Sequence, residues 1–250
     1  AAHAAALRAL RPRVTTLLQT GRLLDAVTCV DAVLLTDGLG LAADQLAALR
    51  SDHAALTEPL AVGVHAVEKA RLSGDEAPLV VGCGPVGLAV IAALRLKGIR
   101  PIVAADFSPK RRELAILMGA DIVVDPAVEQ PYSKLDASRR AAIFECVGVP
   151  GLIQQVFERA PRDARVIVVG VCMEPDTIEP LFGIFKELNL QFVLGYTPEE
   201  FERSLRLLAD GEVDAKALIT GKVGLSGVKN AFEELGNPEQ HTKILVEPWR

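Results

Sequence analysis

Gly82, Gly84 and Gly87 punctuate the run Val80-Val81-Gly82-Cys83-Gly84-Pro85-Val86-Gly87, and their spacing is the clearest chemical signal in the chain. The first glycine permits a tight turn. The second lets the main chain approach a pyrophosphate with no side chain between, and the third lets a helix pack closely on the strand it follows. The N–H groups at the start of such a helix have no partner within it and carry partial positive charge, so they offer a seat for an anion. About twenty residues beyond Gly87, Asp106 ends the apolar run at 102–105, where a carboxylate can accept hydrogen bonds from both hydroxyls of a ribose. A phosphate seat and a ribose acid at that separation indicate a dinucleotide. The acid would repel a 2′-phosphate, so NAD(H) is expected over NADP(H). Lys110, Arg111 and Arg112 follow Phe107-Ser108-Pro109. They could neutralise such a phosphate, or form the solvated first turns of a helix capped at Ser108-Pro109.

The elements that must hold these residues alternate regularly. Strands are expected at 79–83, 102–106, 122–124, 142–147, 165–171 and 191–195, with helices at 86–97, 109–118, 152–160 and 179–188 between them. Each is bounded by Gly, Pro or Asp, which marks an α/β fold with a doubly wound parallel (Rossmann) sheet. Right-handed crossovers give strand order 3-2-1-4-5-6, with the ligand crevice at the carboxyl ends of strands one and four. Past Gly195 the rhythm changes. An amphipathic helix at 198–210 carries Phe201, Leu205 and Leu208 on one stripe, with Glu199, Glu200, Glu202 and Arg203 on a solvated face. A turn-rich stretch, a short helix at 228–235 and a strand at 243–246 follow, and this tail is expected to belong to another module.

Bulk properties narrow the partners. The chain has 250 residues, half of them hydrophobic and only 4% aromatic, with a net charge of −5. Neither nucleic acid nor an anionic membrane is expected as a partner. The apolar stretch at 79–94 is interrupted by Gly82, Gly84, Pro85 and Gly87, and reads as a buried strand running into a buried helix. Cys29, Cys83, Cys146 and Cys172 form no C-x-x-C pair and read as small core residues of a reducing compartment. No signal peptide is evident, and a cytoplasmic location is expected. Arg8, Arg11, Arg13 and Arg22 stand in an acid-free opening segment that superficially resembles a transit sequence but reads as an ordinary surface helix.

Taken together, the stretch at 54–66 containing Thr57-Glu58-Pro59-Leu60, the glycine fingerprint, Met118-Gly119-Ala120-Asp121 and Phe144-Glu145-Cys146-Val147-Gly148 resemble a known family. It is the medium-chain dehydrogenase/reductase superfamily, in particular its zinc-type alcohol and polyol dehydrogenases. The resemblance runs over about residues 33–248 and leaves 1–32 unmatched. It implies hydride transfer between NAD(H) and a small alcohol or carbonyl substrate. It also implies three units: an N-terminal segment at 1–57, an NAD-binding domain at 58–196 and a return at 197–250 to a GroES-like catalytic domain, of which only a remnant is expected. By the same resemblance the cofactor touches Gly82, Gly84, Pro85, Val86, Gly87, Asp106, Phe107 and Arg111, and its nicotinamide lies against Cys146-Val147-Gly148, Val169-Gly170-Val171 and Leu194-Gly195-Tyr196. Glu58 matches a zinc ligand. The family's other ligands, an early Cys and a Gly-His-Glu segment, have no counterpart at supporting spacing, nor has its four-cysteine lobe. An NAD(H)-binding protein without independent catalysis is therefore an alternative, and a zinc-free relative of quinone reductases is a third reading that Glu58-Pro59 opposes. His65 is expected to pack or hydrogen-bond at a helix start. The strand at 191–195 is expected to be an edge that pairs across a two-fold axis, giving a homodimer.

Overall fold

The computed structural model describes residues 52–247. Its centre is a six-stranded parallel sheet: β1 (Ala77–Val81), β2 (Val103–Ala105), β3 (Ile122–Val124), β4 (Ala141–Glu145), β5 (Arg165–Val168) and β6 (Asn189–Phe192). The spatial order is β3-β2-β1-β4-β5-β6, the expected doubly wound arrangement. β1 pairs with β2 on one side and β4 on the other, so the switch of direction falls at the carboxyl end of β1.

Apolar helices cover both faces. α1 (Thr57–Lys69) and α2 (Pro85–Leu96) lie in the larger core with Leu60, Val64, Leu88 and Ile91. They approach closely: a Cβ on Gly63 would lie 2.5 Å from the Ala89 carbonyl carbon. α3 (Pro109–Met118) starts at Ser108, whose Oγ accepts the Arg111 N–H at 3.1 Å. The opposite face is filled by Leu79, Val103, Ile143, Val156 of α4 (Leu152–Arg159) and Val166. α5 (Pro180–Lys186) leads to β6, and α6 (Pro198–Ala209) follows it. Leu207 and Leu208, with Val213, Ala215 and Leu218 beyond them, pack into the same core as α1 and α2. β7 (Ile219–Val223), α7 (Val228–Leu235) and β8 (Lys243–Val246) complete the described chain, the two strands pairing in a separate parallel sheet. Among the described residues, no helix is long and apolar enough to cross a membrane.

Five strands stop earlier than expected: β1 at Val81, β2 at Ala105, β4 at Glu145, β5 at Val168 and β6 at Phe192, and the residue after each still donates its N–H to the neighbouring strand. The turn after β4 includes Gly148 at φ +74, in the left-handed region. Glu200 also corrects the expected solvated face. Its side chain is only 16% exposed, and Oε2 lies 2.7 Å from Nδ1 of the buried His65. Oε2 also accepts the Thr197 N–H, while Thr197 Oγ1 accepts the Glu200 N–H, a reciprocal cap at the start of α6. His65 lies well inside α1 and ties it to α6.

Candidate functional site

The glycine turn joins β1 to α2, and each glycine answers a different constraint. Gly82 has φ +91, and a Cβ there would lie 2.5 Å from Val147 Cγ2. A Cβ on Gly87 would lie 1.8 Å from the Gly82 carbonyl oxygen, so the first turn of α2 sits directly on the glycine turn. Gly84 is different. Its φ of −70° is open to any residue, and a Cβ there would meet nothing within 4 Å. Steric need in the free protein explains Gly82 and Gly87, but not Gly84. No side chain caps the N-terminus of α2 and no acid stands in its first turn, so its N–H groups are presented at an open surface.

Asp106 follows β2 and binds the turn. Oδ2 accepts the Cys83 N–H at 2.8 Å and Oδ1 accepts the Ser108 N–H at 2.9 Å. The carboxylate is thereby fixed in orientation, while each oxygen keeps lone pairs for a further donor. Of the three basic residues that follow, Lys110 donates to the Glu239 and Gln240 carbonyls at 3.2 and 2.8 Å. Arg112 donates to the Asp106 and Phe107 carbonyls at 2.8 and 2.7 Å and lies 3.2 Å from Asp125. Arg111 alone faces the acid, with Nη1 3.8 Å from Asp106 Oδ2. Its Nε is buried and has no hydrogen-bond partner, an orphaned donor beside the open turn.

The carboxyl ends of β4 and β5 form a continuous main-chain floor next to this turn. Glu145 is 1% exposed, and its Oε1 accepts the Val147 and Gly148 N–H groups at 2.7 and 2.8 Å. Its own carbonyl accepts the Val169 and Gly170 N–H groups at 2.8 and 2.9 Å. A Cβ on Gly170 would lie 2.3 Å from the Gly148 nitrogen, so the two segments touch backbone to backbone. Cys146 donates its N–H to the Val81 carbonyl at 2.9 Å, and its half-buried side chain packs on the larger core. Burial pushes the Cys83 and Cys146 thiols above their ordinary range.

The structure thus brings together Gly82, Gly84, Gly87, Asp106, Arg111, Val147, Gly148, Val169 and Gly170. Pro85 and Val86 open α2 above them. Leu194 and Gly195 follow β6, the outermost strand, where the Val193 N–H donates to the Val168 carbonyl at 3.1 Å. Phe107, Val147, Val171 and Leu194, which follow β2, β4, β5 and β6, are large apolar side chains left exposed around this end of the sheet. Residues that sequence reasoning passed over are Glu145 and the His65–Glu200 pair. Glu145 had a signal, being an acid inside an otherwise apolar strand.

The residues fit a dinucleotide: an open, uncapped helix start, a glycine whose missing side chain only a ligand would require, an oriented carboxylate and an orphaned guanidinium nitrogen. They do not fit a catalytic zinc. Such a site uses three protein ligands and an open position, and among the described residues no three of His, Cys, Asp and Glu come together to hold a metal. Glu58, half-buried in the first turn of α1, belongs to no such group of three. Cys29 lies outside the described residues. A cavity of about 450 Å³ lies elsewhere, at the amino ends of β1, β4 and β5, lined by Asp75, Glu76, Arg139, Arg140 and Arg165 among others. Its guanidiniums are already taken by protein carbonyls and carboxylates.

Comparison with known proteins agrees with this fold. Residues 85–210 match the family model described as zinc-binding dehydrogenase. (R,R)-butanediol dehydrogenase of Bacillus subtilis is 32% identical over 205 residues, spanning 80% of this chain and 59% of that protein. The crystal structure of 2R,3R-butanediol dehydrogenase from Bacillus subtilis superposes with a TM-score of 0.66 at 31% identity, covering 78% of this chain and 57% of that one. L-idonate 5-dehydrogenase from Escherichia coli superposes at 0.69 with 26% identity, covering 77% and 56%. The chain therefore spans less than two thirds of the length of these relatives. On the matched span and the sheet it builds, the chain belongs to the zinc-binding dehydrogenases, the zinc-type alcohol and polyol branch of the medium-chain dehydrogenase/reductase superfamily.

Proposed function

We propose that this chain binds NAD(H) at the carboxyl end of its sheet and provides the cofactor half of an oxidoreductase acting on a small alcohol or carbonyl compound. The observation that carries the reading is Gly84. The free protein has no steric need for a glycine there, yet its missing side chain leaves the start of α2 open to a pyrophosphate. The N–H groups of Val86 and Gly87 receive the phosphates. Asp106, held by Cys83 and Ser108, accepts from the adenosine ribose hydroxyls, and Arg111 lies along the same ribose. Lys110 and Arg112 are occupied elsewhere, so neither is positioned to neutralise a 2′-phosphate, which supports NAD over NADP. Val147, Gly148, Val169 and Gly170 form the floor beneath the nicotinamide, and the exposed apolar residues around it exclude water from that face. When bound, the nicotinamide supplies or accepts the hydride. The three described cysteines are free, in keeping with a reducing, cytoplasmic setting.

A homodimer through β6 belongs to the same reading. β6 is an edge strand, and Phe192, with Ile184 and Phe185 of α5, stands exposed on it. Light scattering on the purified chain tests this: twice the chain mass is expected, falling to one with Phe192→Glu.

The decisive experiment for the cofactor is a titration of the full chain with NADH, followed by fluorescence and calorimetry. Saturable binding is expected, tighter than for NADPH. Flat traces to millimolar NADH would end the proposal. Turnover across a panel of secondary alcohols, diols and ketones then separates a complete enzyme from a chain that binds cofactor without catalysis.

A further inference from the structure

We propose that Glu145 is the positioning residue for the nicotinamide end of the site, an inference that rests on the NAD(H) reading above. A carboxyl group at the end of a central strand, 1% exposed and flanked in sequence by Phe144 and Cys146, is costly to bury. An apolar residue would fill the same space without that cost. What it could not do is receive the two N–H groups, Val147 at 2.7 Å and Gly148 at 2.8 Å, that turn the chain out of β4.

Through its own carbonyl the same residue receives Val169 and Gly170 at the end of β5. Glu145 therefore holds both segments that the nicotinamide is expected to lie on. Those segments are in main-chain contact where Gly170 meets Gly148, so neither shifts without the other. The phosphate and adenosine end is held by different groups: the glycine turn, Asp106 and Arg111. Glu145 makes no hydrogen bond to any of them. Its influence should divide the cofactor in two.

That division supplies the test. Glu145→Asp retains the acid but withdraws the acceptor by one methylene. Glu145→Gln keeps an acceptor oxygen at full reach. In the full chain, Glu145→Asp is expected to weaken NADH about tenfold while ADP-ribose changes by less than about twofold, the loss matching one hydrogen bond of typical worth. Glu145→Gln is expected to stay within about threefold of the unaltered chain for both ligands. A general loss of folding would lower both affinities together, so selectivity for NADH is the signature of positioning. Equal weakening of NADH and ADP-ribose, or no change for either, would overturn the role, as would Glu145→Gln matching the damage of Glu145→Asp. If Glu145→Asp does not fold, hydrogen exchange on the unaltered chain decides. The Val147 and Gly148 amides should exchange slowly before any ligand is added, and rapid exchange there would overturn the proposal. If the unaltered chain binds neither NADH nor ADP-ribose, it is the NAD(H) reading that fails.

Discussion

At the amino ends of the strands, Arg139 donates to the main-chain carbonyls of Gly74, Asp75, Glu76 and Arg100. Arg140 is held by Asp163, and Arg165 by the carbonyls of Ala70 and Arg71. The Glu76 carboxylate accepts the Ser73 N–H and O–H and the Gly74 N–H. At the carboxyl ends the balance reverses. A helix start is uncapped, Arg111 Nε is buried without a partner, and apolar side chains face outward. The amino end holds more charge and a cavity of about 450 Å³, yet its polar groups are answered from within. The carboxyl end leaves groups for something else to answer. Unmet polar capacity, not cavity volume or charge count, separates a binding surface from a structural one.

Two glycines of the same turn offer the sharpest way to break this comparison. Gly87→Ala places a methyl group 1.8 Å from a backbone oxygen. It should cost about 3 kcal/mol or more of stability and abolish NADH binding, measured by thermal unfolding and titration. Gly84→Ala enters open space at a permitted φ, so the unfolding midpoint should not move while NADH weakens by tenfold or more, about 1.4 kcal/mol. If Gly84→Ala left NADH affinity intact, the open space would not be the ligand's.

Asp106→Ala ranks next. It removes an oriented acceptor from the ribose and should weaken NADH by about 2 kcal/mol, since hydrogen bonds to a charged group are worth roughly that. NADPH should lose much less, because the same carboxylate opposes its phosphate. Equal losses would show that Asp106 acts only by bracing Cys83 and Ser108.

Arg139→Met is the matching change at the other end. It leaves four carbonyl oxygens without their donor, and about 1–3 kcal/mol of stability should be lost. NADH affinity should be unchanged in the folded protein. A clear drop in affinity would show that the two ends of the sheet are coupled.

The sheet was legible because its strands are short apolar runs cut by Gly, Pro and Asp, and parallel crossovers leave few possible orders. The phosphate and ribose groups were legible because their chemistry needs fixed residue types at a fixed separation. α1 was not readable as a helix from its pattern. It is apolar on nearly every side, with Leu56 rather than a polar residue at its cap, so no amphipathic stripe or capping signal marks it. The ends of β4 and β5 were hidden because Cys146, Val147 and Val169 are as apolar as the strands before them. Hydrogen bonds from the Val147 and Gly148 N–H groups to the Glu145 carboxylate, rather than a change in composition, turn the chain out of β4. Glu200 misled for the opposite reason. Its neighbours Glu199, Glu202 and Arg203 suggested an exposed face, and only the packing of α6 on α1 brings it to His65.

The smallest effect belongs to another ion pair at the amino end. Asp121 pairs with Arg100 and accepts the Ile102 N–H at 2.7 Å. Its carboxyl is held below the usual range, first by the Arg100 guanidinium and then by the Ile102 amide. A carboxyl depressed in the folded state contributes stability above its unfolded pKa of about 3.9, and that contribution disappears as the pH falls through the lower folded value. Asp121→Asn should therefore flatten the acid side of the stability profile, between about pH 4.5 and the folded pKa, and lower stability slightly at neutral pH. The change should be modest and shrink with added salt, because Arg100 is largely open to solvent. NADH affinity at neutral pH should not follow it, since Asp121 precedes β3 at the end of the sheet away from the glycine turn. If affinity did follow it, the acid-sensitive contact would belong to the site rather than to the scaffold, and the contrast between the two ends would fail at its weakest point.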